Sequence, residues 1–263
     1  MYERALRSDE LYHHGILGMK WGVRRYQNPD GSLTSAGKKR YGTNEEKYSK
    51  GEKLYRVGKD HMDFNQGGGL YVSSNTDDAK RYVKNLGPTK LRNMFKLECG
   101  THVQNIEITK DLKMPTHEET AKLCAEFLSK DKKSLKDFND SIYNYGVSYK
   151  SGESITKSDL DKAMKNPSSK EAQQISYGLF SVFGDAQYSD ISKSFYDYAK
   201  TNKYTALPDI HDRYSGTSES AMIIIDPSCV KINSVEQIND QYMKDAKAYV
   251  KRIEKLKVNK IIN

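Results

Sequence analysis

The sequence predicts an α+β fold, and three observations carry the prediction. Short apolar or alternating runs near both ends of the chain read as strands, the middle from Pro115 to about Lys200 carries a helical period, and a long basic helix closes the chain. Leu54–Val57 and Leu70–Ser73 are the first two strands. The loop between them holds Gly67, Gly68 and Gly69; no Gly-Lys-Ser follows, so it is not a phosphate loop, and a mobile rim is expected. Asn75 or Thr76 caps the next helix, acids in its first turn suit the helix dipole, and Ala79, Tyr82 and Val83 form its apolar face. Met94–Cys99 and Thr101–Ile108 alternate as a hairpin across Gly100.

The helical insertion spans about 114–200, with Pro115 at its start. Ala121, Leu123, Cys124, Phe127 and Leu128 make one buried stripe, and Leu135, Phe138, Ile142 and Tyr145 the next. Lys157–Lys165, Glu171–Phe183 and Asp190–Lys200 are further helices. Tyr204–Leu207 is a short strand and Ala221–Ile225, ended by Pro227, a central one that Val230–Ile232 continues. The closing helix runs over Val235–Lys257, with Ile238, Tyr242, Ala246, Val250, Ile253 and Leu256 on one side.

Composition narrows the classes. Among 263 residues, 36% are hydrophobic, and 19 Tyr supplement the core with rings that keep a polar tip. The net charge of +8 admits nucleic acid as a partner, but the lysines interleave with Asp and Glu along the chain and read as a solvated surface. Cys99, Cys124 and Cys229 lack metal spacing, their odd number argues against a disulfide framework, and Cys124 and Cys229 read as packing residues. The histidines lack metal spacing too, so no metal is assigned, and His211 reads as a loop residue. No apolar run reaches the ~20 residues of a membrane span, and the expectation is no membrane and no secretory leader. Residues 1–50 show no sustained period and carry turn chemistry at Asn28-Pro29-Asp30-Gly31; they read as an arm, with a second domain over 51–263.

Two distant stretches carry the chemistry. Arg56 and Ser73-Ser74-Asn75 lie in the first, and Asp209-Ile210-His211-Asp212 and Glu219 in the second. If they meet, an arginine, a pair of hydroxyls and a carboxylate share one cleft. A guanidinium grips phosphate or ribose oxygens, and a carboxylate steadies the oxocarbenium-like sugar formed as nicotinamide leaves NAD. Each residue also has a structural explanation: Arg56 as a sheet-edge ion pair, Ser73-Ser74-Asn75 as a strand end and helix cap, Glu219 as a solvated strand start, Tyr71 and Tyr82 as core.

In this order the residues resemble the ADP-ribosyltransferase superfamily. The resemblance implies a split mixed or antiparallel sheet, NAD as substrate, and either ADP-ribosyl transfer or NAD hydrolysis. By the arginine-serine-glutamate branch, Arg56 binds NAD, Ser73 and Ser74 support the carboxylate and the sugar, and Glu219 is the catalytic acid, with Asp209 its rival. By the diphtheria-toxin-type branch, Tyr71 and Tyr82 wall the nicotinamide pocket, although Arg56 stands where that branch has His. Position 221 is Ala, so there is no Glu-x-Glu pair, and the place of its first acid falls on Thr217; the acceptor stays open.

The run His14-Gly15-Ile16-Leu17-Gly18-Met19-Lys20-Trp21-Gly22-Val23-Arg24-Arg25-Tyr26, continued by Gln27 to Gly42, closely resembles an N-terminal segment of many proteins encoded by phages and prophages of Gram-positive bacteria. There it precedes unrelated domains. The resemblance implies a docking tag for phage head or portal proteins over residues 13–42, with Trp21, Met19, Tyr26 and Leu33 as anchors. The expectation is a phage-encoded enzyme acting on a host protein or other host macromolecule, placed in the virion or the host bacterial cytoplasm. A non-enzymatic head-associated protein and an anti-defence binder of a nucleotide signal or host immune protein are the alternatives.

Overall fold

The computed structural model describes residues 47–65, 67–84, 100–145, 154–183, 188–214, 218 and 220–262. The chain divides into two units, Met1–Asn44 and Glu45–Asn263. The segment 13–42 expected to act as a docking tag, the strand expected at 94–99 and Cys99 fall outside the described residues. Residues 48–50 belong to the second unit: Tyr48 bridges Leu112, and the Lys50 N–H donates to Asp111 at 2.8 Å.

Six strands form one antiparallel sheet: β1 Lys53–Gly58, β2 Leu70–Ser73, β3 His102–Ile108, β4 Ala206–Pro208, β5 Ala221–Ile224 and β6 Val230–Gln237. Their order is β4-β5-β2-β1-β3-β6, and every described pairing is antiparallel. β2 matches its expected bounds, and β5 lies between two neighbours, as its all-buried pattern requires. Val230–Ile232 does not continue β5. Pro227 opens a 3₁₀ turn capped by Asp226, and the chain crosses to the far edge, where β6 pairs with β3. The closing helix therefore begins at Asp240 rather than Val235.

Eight helices accompany the sheet among the described residues: α1 Thr76–Lys84, α2 His117–Lys130, α3 Lys132–Tyr145, α4 Lys157–Lys165, α5 Lys170–Val182, α6 Ser189–Thr201, α7 Ile210–Tyr214 and α8 Asp240–Ile262. The insertion starts are set by side-chain caps. Thr116 and Thr156 each form a reciprocal capping box, and Ser169 caps α5.

Period-two alternation gives the sheet two faces. On one lie Leu54, Leu70, Val72, Ile106, Met222 and Ile224 in a single apolar cluster. The other splits. At the β4–β5 end Leu207, Ile223 and Ile225 join the core of the insertion. Toward β1 and β3, Val57 and Val103 pack with α1 and α8 through Ala79, Val83, Met243 and Ala246. Between these two covers a strip of the second face is left open, and the cleft lies there.

Candidate functional site

A cleft of about 600 Å³ opens over the middle of this face. Tyr55, Tyr71 and Ser73 contribute from β1 and β2, Ala79, Arg81 and Tyr82 from α1, and Asp209 and Asp212 from the start of α7; Ala221, Ser218 and Val250 also line it. Four of the expected site residues, Arg56, Tyr71, Ser73 and Tyr82, border one cleft together with Asp209. Ser74 is not among the lining residues; its N–H donates to the Ser220 carbonyl at 3.4 Å and ties the end of β2 to the segment before β5. Glu219 and Thr217 lie outside the described residues.

Arg56 borders the cleft with its guanidinium engaged elsewhere. Its register partner is the fully buried Gln104, and strand alternation puts both on the Leu54 face, opposite Tyr55 and Ser73. Its guanidinium pairs with Asp63 and packs so close to Gly58 that a Cβ there would meet Nη1 at 3.0 Å. Arg56 borders the cleft, while its charge is spent on that other face. The cation lining the cleft from α1 is Arg81, whose side chain is about one third exposed.

Ser73 does support a carboxylate, but that of Asp78. Its Oγ accepts the Asn75 N–H at 3.0 Å and donates to Asp78 Oδ2 at 2.6 Å. Ser218 Oγ donates to the same oxygen and accepts the Ser220 N–H at 3.2 Å. Asn75 caps α1 as expected, taking the Asp77 N–H at 2.9 Å. Tyr82, expected on the apolar face of α1, is half exposed on the rim of the cleft.

The opposite wall is anchored by Asp209. Its N–H donates to the Ala221 carbonyl at 3.0 Å, and its Oδ1 accepts the Asp212 N–H at 3.2 Å, capping α7. Burial, then the charge of Asp212, pushes its carboxyl up to about 6. Burial also drives the Tyr71 phenol far above its ordinary value, helped by Tyr196, and lifts Tyr196 to about 12. The Tyr196 hydroxyl is buried beside Tyr71 and Asn65 without meeting either at hydrogen-bonding geometry. His211 is helical and stacks on Tyr177, 5.4 Å between centroids.

The three glycines are not a mobile rim. Gly67 and Gly69 are buried, and a Cβ would meet Ser192 Oγ at 2.1 Å and Ile223 at 2.7 Å, respectively. Asn65 holds the turn by accepting the Gly69 N–H at 2.6 Å, and only Gly68, at φ +86°, needs the left-handed conformation. They let the loop lie directly against α6 and β5.

Sequence reasoning missed Asp78, Arg81 and Ser218. Asp78 had a signal: it stands three residues after the cap Asn75, where an acid can turn back toward the strand end. Ser218 had none, since its contact spans 140 residues. Among the described residues no group of three or more His, Cys, Asp or Glu side chains could hold a metal ion, and no helix is long and apolar enough to cross a membrane.

Part of the chain, residues 7–28, matches a family of unknown function (DUF7211). No curated protein and no solved structure matches the chain.

Proposed function

We propose that this chain binds NAD in the cleft and cleaves its nicotinamide–ribose bond, transferring ADP-ribose to a host acceptor or to water. The fold reading that accompanies this is an ADP-ribosyltransferase-like sheet with a helical insertion. One observation carries it: a single cleft is lined by three tyrosines, the partly exposed Arg81, a serine-held acid and a buried carboxyl raised toward neutrality.

The roles follow that geometry. Arg81, rather than Arg56, offers its forked donor to the phosphates. Tyr71 from the floor and Tyr82 from the rim flank the nicotinamide ring. Asp209 supplies the negative charge that steadies the oxocarbenium-like sugar, a role that needs its ionised form. Burial makes that charge count for more than it would in water. Activity should accordingly rise as the pH climbs through about 6.

The phage setting and the docking role of residues 13–42 belong to the same proposal; they are motivated by the resemblance of that segment. Deleting residues 1–45 should reduce incorporation into particles, and unchanged incorporation ends the docking idea.

Purified protein incubated with NAD should release nicotinamide, or label a host lysate with ADP-ribose. Asp209→Asn should lower the rate about 100-fold or more, the scale of losing one charged stabiliser. Glu219→Ala is the companion variant: if it alone abolishes turnover, the acid role belongs to Glu219. Tight NAD binding without release would instead identify a binder that sequesters a nucleotide.

A further inference from the structure

One acid in the cleft has hydrogen-bonding capacity that the fold leaves unused. The Asp78 side chain is nine-tenths buried, and both of its serine donors converge on Oδ2, Ser73 from the end of β2 and Ser218 from the segment ahead of β5. Each serine is fixed in turn by a backbone N–H, from Asn75 and Ser220. Oδ1 is buried and accepts no hydrogen bond. Arg81, three residues along α1, brings Nη1 to 3.5 Å of it, an ion-pair distance without hydrogen-bond alignment. Buried polar atoms nearly always have a partner, and a charged oxygen is the costliest kind to leave without one. Helix capping does not explain the arrangement, because Asn75 already takes the first N–H groups of α1.

We infer that Asp78 Oδ1 is the acceptor for a ribose hydroxyl of the bound ligand; this rests on the NAD reading above. A carboxylate only accepts, so its partner must be a donor. Arg81 beside it draws phosphate, and the donors adjoining a dinucleotide's phosphates are its ribose hydroxyls. Phosphate that pulls Arg81 outward opens Oδ1 to the neighbouring hydroxyl. The two serines hold the acid in place beforehand, so little order is lost when the hydroxyl arrives. Asp78 is thus a specificity-determining residue that reads the sugar, separate from the charge on Asp209.

The test is calorimetric binding of NAD and of two analogues lacking the hydroxyls of one ribose or the other. Wild-type protein should bind one analogue about 10- to 100-fold more weakly than NAD, the scale of one hydrogen bond to a charged group. Asp78→Asn keeps an oxygen for both serines but turns Oδ1 into a donor. It should bind NAD more weakly by a similar factor and no longer distinguish the analogues. Equal binding of both analogues and NAD by wild-type protein overturns the inference while leaving the NAD reading intact, and needs no variant to fold. Discrimination retained in Asp78→Asn overturns it as well. Absence of any NAD binding by wild-type protein removes the NAD reading, and this inference with it.

Discussion

The helical insertion and the cleft share one face of the sheet but treat buried polar groups in opposite ways. In the insertion four buried hydroxyls turn back to a carbonyl of their own helix or its cap, Thr120 to Thr116, Ser141 to Phe138, Ser176 to Gln173 and Ser192 to Ser189, and Ser134 donates to the capping Asp131. The Tyr198 hydroxyl reaches across to Glu126 at 3.1 Å, but the space between helices is filled mainly by rings, with Phe195 meeting Phe127 edge-on at 5.3 Å and Phe180 at 5.9 Å. In the cleft a polar contact bridges 140 residues of chain and two carboxylates lie side by side. Ser218 donates to Asp78, Asp209 faces Asp212, and the Asp78 Oδ1 has no hydrogen-bond partner. Apart from the Tyr196 hydroxyl, which has no hydrogen-bond partner, the first region is satisfied mostly within its own helices and is built for stability. The second carries charge and unused bonding capacity, which stability alone would select against.

Variants in the two regions should separate these roles. The largest loss of stability is expected for Phe195→Ala, about 3–5 kcal/mol, because a fully buried ring leaves a cavity among Phe127, Phe180 and Phe183. Denaturant unfolding measures it; a loss under 1 kcal/mol would deny the insertion its place as the main core.

The opposite sign is expected in the cleft. The Asp209 carboxyl is raised from its ordinary 3.8 to about 6. Its contribution to stability is therefore fully present below the unfolded value and is lost as pH rises through about 6. Above that, the buried charge is a burden of at most about 3 kcal/mol. Asp209→Asn, which still caps α7, should stabilise the protein at pH 7–8 by about 1–3 kcal/mol and by nothing below the unfolded value. Thermal melts across pH would reveal it, and a gain independent of pH would mean that the carboxyl is not the burdened group.

Gly67→Ala should cost about 1–3 kcal/mol, since its Cβ would overlap Ser192; the double change with Ser192→Ala should recover part of that. The smallest pair is the sharpest comparison. Ser192→Ala, a local bond, should cost under about 1 kcal/mol, while Ser218→Ala, which strips a donor from a buried acid, should cost about 1–3 kcal/mol. Equal losses would erase the distinction between the two regions.

Much of this architecture is legible in the linear order of residues. Alternation places Leu70, Tyr71, Val72 and Ser73 in β2, helical stripes such as Leu123, Cys124, Phe127 and Leu128 bury where they should, and Asn75 caps α1. Such features depend on neighbours within a turn or two, and the chain states them directly. The α+β class, the helical insertion and the closing helix follow from the same signals.

Other features depend on groups that only folding brings together. Whether Arg56 faces the cleft is decided by its parity in β1 and by Asp63 in a loop, not by its presence in a motif. The path from β5 across to the far edge of the sheet follows from which strand was free to pair, and it moved the start of α8 to Asp240. The glycines were set by the distance between two elements, and Asp78 was singled out by a serine 140 residues away. Periodicity reports which way a side chain points relative to its neighbours. It carries no term for what will stand opposite, and in this protein that decides which acids and cations line the cleft.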